Sequence, residues 1–527
     1  MSGWSPKLIV GLLIGSLFVS GCWQPNPPTD SRTLRISQRN EPTDLDPATA
    51  SLPDEFFIIR ALSEGLVSPS PEGGTPVPAA AERWELSADQ LTYTFHLRPT
   101  ATWSNGEPVT AADFVASYQR VLTPATAAAK ANLFFLVRGA EDFYRGDLTD
   151  FSAVGFRAIA PLTLAITLEY AAPQFLAHVA SGPWIPVNPR VVIRFGTGWT
   201  QPGNFVGNGP FTLEAWQAHQ HIVVKKRADY WDAANVHLDA IRFQAFDNGD
   251  AEERAFRAGQ LDLTIAVPVS KIAGYQAQHP SPLRQIPLHE TRFLTFNTQH
   301  APLGDIRVRR ALAQSIDRRA LTTHVLSGGQ HPAYQFVPEG LGHYRHGRVL
   351  TENAAGARVL LAEAGFPDGK DFPVLDLTGW GQTSVLEAIQ AMWRTQLGIT
   401  VRIGSRDAKV HLTDLQQGNY DIGFMTAIPD VADPGDLLKN FRTGAPDNYS
   451  RWSHANFDAL IATAARTPDA EARLALLAEA EELLTDFCPV TPLYFNSKNF
   501  LQRSTVRDWR EDALWTRFYQ GTSLVTP

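Results

Sequence analysis

The chain has 527 residues, of which 44% are apolar, and its 54 acidic residues exceed its 46 basic residues to give a formal net charge of −8. The high apolar content excludes a disordered chain, and the acidic balance argues against a nucleic-acid-binding protein, which typically carries a basic surplus. Its two cysteines, Cys22 and Cys488, are too few for a disulfide framework. At about 150 residues per domain, the length indicates three domains or lobes.

The first residues resemble an export signal with a lipid-attachment site. Lys7 precedes an apolar run that is shorter than the roughly 20 residues of a membrane-spanning helix. The run ends in Val19-Ser20-Gly21-Cys22, which resembles the lipobox of bacterial lipoproteins, where the cysteine is acylated and becomes the first residue. This implies a signal peptide over 1–21, a lipid anchor on Cys22, and a proline-rich tether over 22–33. The alternative is an ordinary signal peptide with a coincidental cysteine.

Strands and helices are mixed along the rest of the chain, which indicates an α/β or α+β protein with several sheets. Alternating apolar residues predict strands at 34–37, 91–97 and 162–168. Helical periodicity predicts helices at 306–316, 354–364 and 384–396. Thr110 is the predicted cap of a helix over 111–118, while Thr467 and Pro468 are the predicted cap and first position of a helix through 469–485.

Motifs of catalysis or metal binding are weak. The sequence has no nucleophile elbow, no Walker loop and no H-E-x-x-H helix. His219 and His221 could share one face of a strand, but without companion ligands a partly exposed strand face is the favoured interpretation. The carboxylates at 430, 433 and 436 are interpreted as a solvated turn with two helix-capping acids, because a calcium loop needs more oxygen ligands. Cys488 lies in an apolar setting that favours an inert core role. We predict no catalytic residue, metal or cofactor.

Eight sequence phrases, in the same order, resemble the extracytoplasmic solute-binding proteins of family 5, which serve oligopeptide and dipeptide ABC importers. They occupy residues 80–87, 93–98, 103–114, 207–211, 228–231, 306–318, 360–366 and 489–494. Each phrase alone is a weak signal, but eight in order form a specific pattern. The resemblance covers nearly all of the chain from Leu34 onward, and the lipobox agrees with it.

The resemblance implies a class II-type periplasmic binding protein with two hinged lobes and an inserted third lobe. Lobe I would comprise 34–63, 188–289 and 499–527, lobe II would be the insert 64–187, and lobe III would be 290–498. Closure of two lobes on a ligand is a common hinge motion. The function implied is capture of oligopeptides outside the cytoplasmic membrane and delivery to a permease with its ATPase. We expect a monomer without enzymatic activity.

The resemblance also implies a ligand site. In oligopeptide-binding members the ligand backbone pairs like an added strand, and an aspartate binds the α-amino group. The segment 420–430 matches that strand and aspartate without a gap, so Asp430 is the expected anchor, and Ala427, Ile428 and Pro429 precede it. The facing strip would be 49–54, which includes Ser51 and Leu52.

Several positions depart from the family pattern. Phe424 stands where some peptide binders have an arginine for the ligand carboxylate, and Gln382 stands where a histidine can serve. Ala427 replaces a tryptophan, and Ser51 and Thr295 replace acids near the amino end. Relatives carry nickel complexes, sugars, opines or haem on the same fold, so another small solute is the alternative ligand. An exported hydrolase and a structural lipoprotein or chaperone with an empty cleft are the alternatives from other classes.

The lipobox gives the first testable prediction. Cys22→Ser removes the thiol that would be acylated, so radioactive fatty acid should no longer label the protein. The variant should also be released or remain unprocessed, because acyl chains supply the membrane affinity. Labelling that persists at the wild-type level would contradict the lipobox assignment.

Overall fold

The structure is a computed structural model that describes residues 32–246 and 248–525. Cys22, the signal peptide and most of the tether therefore lie outside the described residues. Within the described part, no helix has the length and apolar character that a bilayer span requires. The predicted class is confirmed: strands and helices are mixed, and they form several separate sheets.

The helices and strands are described below by lobe, with the lobe names defined above. The exact boundaries of the lobes stay predictions. The first group is β1 (Thr33–Gln38) and α1 (Pro53–Leu62). The insert contains β2 (Val67–Ser68), β3 (Val77–Pro78), β4 (Ala81–Leu86), β5 (Thr92–Leu97), α2 (Ala111–Leu122), α3 (Ala140–Arg145), β6 (Phe156–Ala160), β7 (Thr163–Thr167) and α4 (Phe175–Val179). The return to lobe I contains α5 (Pro189–Phe195), β8 (Phe211–Gln217), β9 (His221–Lys226), β10 (Ala240–Ala245), α6 (Gly249–Arg257) and α7 (Val269–Gln276).

The remaining elements build lobe III and the C-terminal return. Lobe III contains β11 (Leu283–Phe296), α8 (Ile306–Gln314), α9 (Arg318–Ala320) with a wide π-type turn at Leu321–Leu326, β12 (His331–Pro332), α10 (Ala354–Glu363), β13 (Leu375–Gly379), α11 (Thr383–Leu397), β14 (Val401–Ser405), α12 (Ala408–Gln417), β15 (Ile422–Ala427), α13 (Pro434–Leu438), α14 (Ala455–Ala465), α15 (Ala470–Phe487) and β16 (Val490–Leu501). The chain ends with β17 (Val506–Arg507), β18 (Arg510–Glu511), β19 (Arg517–Phe518) and β20 (Ser523–Leu524).

Three larger sheets are the centres of the lobes. The sheet of lobe I has the order β1-β10-β9-β8, and only the β1–β10 pair is parallel. The insert has the antiparallel order β4-β5-β7-β6, and lobe III has the six-stranded order β12-β16-β11-β15-β13-β14. The helix α1 packs on the sheet of lobe I through Ile58, Ile59 and Leu62, which are fully buried. In lobe III, neighbouring residues of β11 and β15 belong to two different core clusters, so that sheet is covered on both faces.

The insert has an aromatic core. Tyr118 on α2 lies 5.0 Å from Trp184 between ring centroids, and Phe134 stacks on the same indole at 4.2 Å. Thr110 caps α2 as predicted, since its hydroxyl accepts from the Asp113 N–H while the Asp113 carboxylate accepts from the Thr110 N–H at 2.9 Å. This capping box and the aromatic cluster keep the insert rigid beside the cleft.

The junction between the insert and lobe I is held by a hydrogen-bonded corner. Asn208 accepts from the Glu64 N–H at 3.0 Å and donates to the Glu64 carbonyl at 2.9 Å. The Glu64 carboxylate accepts from the Tyr230 hydroxyl at 2.6 Å and from the Trp231 indole at 2.7 Å. Gly209 is required here, because a Cβ would lie 2.5 Å from the Ser63 nitrogen. The family phrases at 207–211 and 228–231 therefore meet in one structural corner.

Two long strands connect lobe I to lobe III. The first half of β11 pairs with the last part of β16, from Leu283 with Leu501 to Pro287 with Ser497. The pairing shifts register between Pro287 and Thr291 and then continues into lobe III, where β11 also pairs with β15. Such an irregularity between two regular ladders is a natural position for a hinge.

Most predicted elements are confirmed, and two local interpretations are wrong. The cap of α15 is Asp469, whose carboxylate accepts from the Ala472 N–H at 2.7 Å, because the Thr467 hydroxyl instead donates to the Thr463 carbonyl at 2.8 Å. His219 and His221 do not share a strand face, since His219 has a φ of +59° in the turn before β9.

A buried charge cluster lies beside the hinge. The Lys498 ammonium on β16 forms an ion pair with Glu511, and the Arg517 guanidinium lies 3.4 Å from the same carboxylate. All three side chains are almost fully buried, and burial lowers the pKa of Lys498 to about 8. The Arg517 guanidinium also lies 3.7 Å from the centre of the Phe57 ring on α1. The cluster therefore fastens the C-terminal strands and α1 to a hinge strand.

Glu511 is the carboxylate that the two cations share, which makes its removal the more damaging change. Glu511→Gln should lower the free energy of unfolding by about 3 to 5 kcal/mol, since two buried cations then repel each other without a counter-charge. Lys498→Met should cost clearly less, because Glu511 and Arg517 remain as an opposite-charge pair. Urea unfolding of both variants measures the difference, and equal losses would contradict this account of the cluster.

Candidate functional site

A cavity of about 720 Å³ lies where the three lobes meet. Its walls come from the start of α1 in lobe I and from the β2–β3 loop and the end of α4 in the insert. Lobe III contributes part of the segment between β12 and α10 and the loop after β15. The hinge strand β11 and the loop between β18 and β19 also contribute. The lining residues used below are Ser51, Leu52, Arg60, Lys130, His289, Ile428, Pro429, Asp430 and Trp515.

Five of the predicted site residues line this cavity, from two opposing lobes. Ser51 and Leu52 lie at the N-terminus of α1, where their N–H groups donate to the Glu55 carboxylate at 2.8 and 3.1 Å. Ile428, Pro429 and Asp430 follow directly after β15. Leu52 and Ile428 expose 47% and 42% of their surfaces. The cavity therefore combines exposed apolar surface with the Asp430 carboxylate.

The other four predicted residues lie outside the lining. Phe424 is fully buried in the core of lobe III, where its ring lies 6.1 Å from that of Trp380. Thr295 is buried on β11, with its hydroxyl 3.5 Å from the Tyr420 hydroxyl. Ala427 packs against the lobe III core at the end of β15, and Gln382 immediately precedes α11. The lobe III residues that reach the cavity are those after the end of β15, where the backbone leaves the sheet.

Asp430 forms an ion pair with a lysine of the insert. Its two carboxylate oxygens lie 2.8 and 3.1 Å from the Lys130 ammonium. Each side chain exposes about one third of its surface, at 33% for Asp430 and 32% for Lys130. Lys130 immediately precedes the 3₁₀ turn Ala131–Phe134, so the pair connects the insert to lobe III across the cavity. The sequence analysis missed Lys130, because nothing in its local sequence marks it.

The acids next to Asp430 each have a cation of their own, which corrects the prediction of a solvated turn. Asp433 is buried and binds the Arg473 guanidinium with both oxygens at 2.7 Å, while it also caps α13 at the Gly435 N–H. Asp436 is buried as well and accepts from the Asp430 N–H and from the Lys439 ammonium, both at 2.6 Å. Arg473 lies on α15, whereas Lys439 directly follows α13 and is three residues from Asp436. These two cations hold the acidic loop in a fixed position beside the cavity.

The charges around Asp430 shift its pKa upward. Burial is the main cause, and repulsion from the Asp436 carboxylate adds to it, while attraction to Lys130 acts in the opposite direction. Burial would also raise the pKa of Asp436, but the Lys439 ammonium lowers it below its usual value. The ionised form of Asp436 is therefore stabilised by Lys439. The ionised form of Asp430 is less stabilised, so Asp430 is the carboxylate that a cation in the cavity would stabilise most.

The strand that leads to Asp430 has a partly free edge. β15 pairs with β11 over its whole length, but with β13 only at Ile422 and Gly423. Beyond Gly423 the described strands leave that edge without a ladder partner, although the Phe424 carbonyl lies 3.0 Å from His411 Nε2. Pro429 has no N–H to offer, so strand pairing along this edge would stop before Asp430.

Basic and polar groups complete the cavity, and they too were not predicted. Arg60 on α1 donates to the Ala180 carbonyl at 3.0 Å, and burial lowers its pKa to about 10. Burial also lowers the pKa of His289 on β11, which keeps that imidazole neutral near pH 7. Among residues 32–246 and 248–525, no group of three or more His, Cys, Asp or Glu side chains could hold a metal ion. Cys488 lies in the core, where burial raises its pKa to about 11.

Two hinged lobes, an insert and a cavity between them define a solute-binding protein. The profile of the bacterial extracellular solute-binding proteins, family 5, matches residues 75–449, and the chain belongs to this family. It is 31% identical over 466 residues to the periplasmic murein peptide-binding protein MppA of Escherichia coli, and the aligned region covers 86% of each chain. It is 30% identical over 481 residues to the probable deoxycholate-binding periplasmic protein YgiS of Escherichia coli, which covers 89% of each chain.

Solved structures agree with the fold. The crystal structure of Haemophilus influenzae OppA in complex with the peptide RPPGFSPFR superposes with a TM-score of 0.79. The two sequences are 26% identical, and the match covers 94% of this chain and 99% of that chain. The inserted lobe and both hinged lobes are therefore included in the likeness.

Proposed function

We propose that this protein is the substrate-binding component of an ABC-type peptide importer. It captures peptides outside the cytoplasmic membrane and delivers them to a permease with its ATPase. The observation that carries the proposal is the position of Asp430, whose carboxylate faces a cavity between three lobes and has a flexible lysine as its partner. Relatives that are named for peptide binding support the ligand class.

The cavity suits a peptide backbone for two further reasons. The part of the β15 edge beyond Gly423 has no strand partner and leads toward Asp430. The first residues of an extended peptide can pair there and place the peptide ammonium at the Asp430 carboxylate. The exposed apolar side chains of Leu52 and Ile428 can then contact the ligand side chains without discriminating strongly between them. Main-chain pairing with loose side-chain contacts gives affinity for many sequences, which is what an uptake protein requires.

Capture requires the two lobes to close, and the structure has a suitable hinge. β11 and β16 are the long strands shared by lobe I and lobe III, and the register shift after Pro287 lies next to the cavity residue His289. A ligand that contacts both lobes stabilises their closed arrangement. The lipid anchor on Cys22 would hold the monomer beside its permease, and we assign the protein no catalytic activity.

A second ligand class is an amphipathic anion. YgiS, a relative named for deoxycholate, is about as similar to this chain as the relative named for murein peptides. Such an anion would use Arg60 or Lys130 and would not need Asp430 as a counter-charge. The role of Asp430 therefore distinguishes the two ligand classes.

The central prediction concerns Asp430→Asn, which keeps the shape of the side chain and deletes its charge. Binding of tetra-alanine should weaken by about 2 to 5 kcal/mol, or roughly 30-fold to several-thousand-fold, because the buried ammonium loses its counter-ion. Amino-terminal acetylation of the peptide should weaken binding to the wild type strongly and to the variant much less. Titration calorimetry on the two proteins and two peptides measures all four affinities.

Asp376→Asn is the matched control for this experiment. Asp376 is also on lobe III, exposes 32% of its side chain and pairs with Arg402 at 2.6 Å, but it lies outside the cavity. Its change should leave the affinity within about 0.5 kcal/mol of the wild type. If acetylation and Asp430→Asn weaken binding additively, Asp430 is not the amino-end anchor. If deoxycholate binds and tetra-alanine does not, the anion is the ligand class.

A further inference from the structure

The ion pair between Lys130 and Asp430 has a consequence for which peptides fit, and the inference rests on the proposed function. The Lys130 ammonium holds the position on Asp430 that a peptide α-ammonium would take. Within the described residues, the Lys130 ammonium makes no other ion pair or hydrogen bond. An incoming ammonium therefore has to displace it or share the carboxylate with it.

The surrounding charges are balanced before any ligand arrives. The three carboxylates are Asp430, Asp433 and Asp436, and their cations are Lys130, Arg473 and Lys439. The other titratable group that faces Asp436 is His178 of the insert, and burial lowers its pKa so that it adds no charge at neutral pH. A ligand ammonium is a fourth cation at this wall, and a buried charge without a partner is unfavourable.

When the lobes are closed, Lys130 cannot leave the site, because its backbone is fixed in the insert. The neighbouring Ala129 N–H donates to the Ala48 carbonyl at 3.2 Å, and Leu133 and Phe134 in the following turn are buried in the insert core. Only the flexible side chain can move, so a displaced ammonium stays within one side-chain length of Asp430. It then lies beside the first residues of a bound peptide.

We propose that Lys130 is a specificity-determining residue, which an incoming ammonium displaces from Asp430 and which then binds an anionic group at the amino end of the same ligand. The site therefore binds peptides that carry an acidic side chain at their first or second residue more tightly than peptides that do not. The ligand brings one positive and one negative charge, and the charge balance of the wall is restored. A peptide without an acidic side chain at its first or second residue leaves Lys130 without a carboxylate partner inside the closed cavity.

The experiment uses titration calorimetry of the full mature protein with two matched pairs of tetrapeptides. The pairs are Asp-Ala-Ala-Ala with Asn-Ala-Ala-Ala, and Ala-Glu-Ala-Ala with Ala-Gln-Ala-Ala. The wild type should bind the acidic member of at least one pair on the order of tenfold more tightly than its amide counterpart, the scale of one buried charge pair. Lys130→Met should lose that preference, while its affinity for the amide peptides should stay equal or rise, since no lysine has to be displaced.

Lys225→Met is the matched control, because Lys225 also pairs with a carboxylate, Glu214 at 2.6 Å, on β8 and β9 outside the cavity. It should keep the preference of the wild type. If Lys130 only tethers the insert to lobe III, Lys130→Met will change the affinities of acidic and amide peptides by the same factor, and the inference is wrong. A wild type without any acidic preference, or a preference that survives in Lys130→Met, also overturns it. Failure of all four peptides to bind any variant overturns the proposed function itself.

Discussion

The arrangement of the site depends on one constraint: a carboxylate between closing lobes must have a cation. Asp430 satisfies it with Lys130 of the insert, and its inner neighbours satisfy it with Lys439 and Arg473 of lobe III. The inner pairs are buried and fixed, whereas the outer pair is one third exposed and one partner is a flexible lysine. Only the Lys130–Asp430 pair can therefore exchange its cation for one that a ligand supplies. This exchange allows Asp430 to bind a ligand, whereas the other two carboxylates have a structural role.

On the other side of the cavity a buried carboxylate also requires cations, and there the charges stabilise the fold. Glu511 holds two cations beside the hinge strand β16, and the loop that follows Glu511 lines the cavity wall. Because these charges are buried and mutually dependent, the lobe I side of the cavity resists rearrangement. A rigid wall facing a carboxylate with an exchangeable partner is a suitable geometry for capture and release.

The sequence predicted regular elements well, since apolar alternation and helical periodicity are local. It was wrong where a side chain can hydrogen-bond to either of two nearby backbone groups. The Thr467 hydroxyl donates to the Thr463 carbonyl of the preceding helix, and Asp469 caps α15 instead. Asp430 was found through the family resemblance, but its partner Lys130 is 300 residues away and has no motif around it. The buried pair of Asp433 depends on Arg473, which is 40 residues away, so the local sequence does not indicate it. Lys439 is only three residues from Asp436, but the local sequence does not show that the Asp436 carboxylate is buried. Phe424 and Thr295 were expected at the site from the family pattern, but both lie in the core of lobe III, where the neighbouring strand residues are buried as well.

A crystal structure of the protein with tetra-alanine would test the central claim most directly. The account predicts that the peptide ammonium lies within hydrogen-bonding distance of the Asp430 carboxylate, that Lys130 has moved off it, and that lobes I and III have closed around the ligand. A complex in which the Lys130–Asp430 pair is intact and the peptide ammonium binds elsewhere would contradict the account.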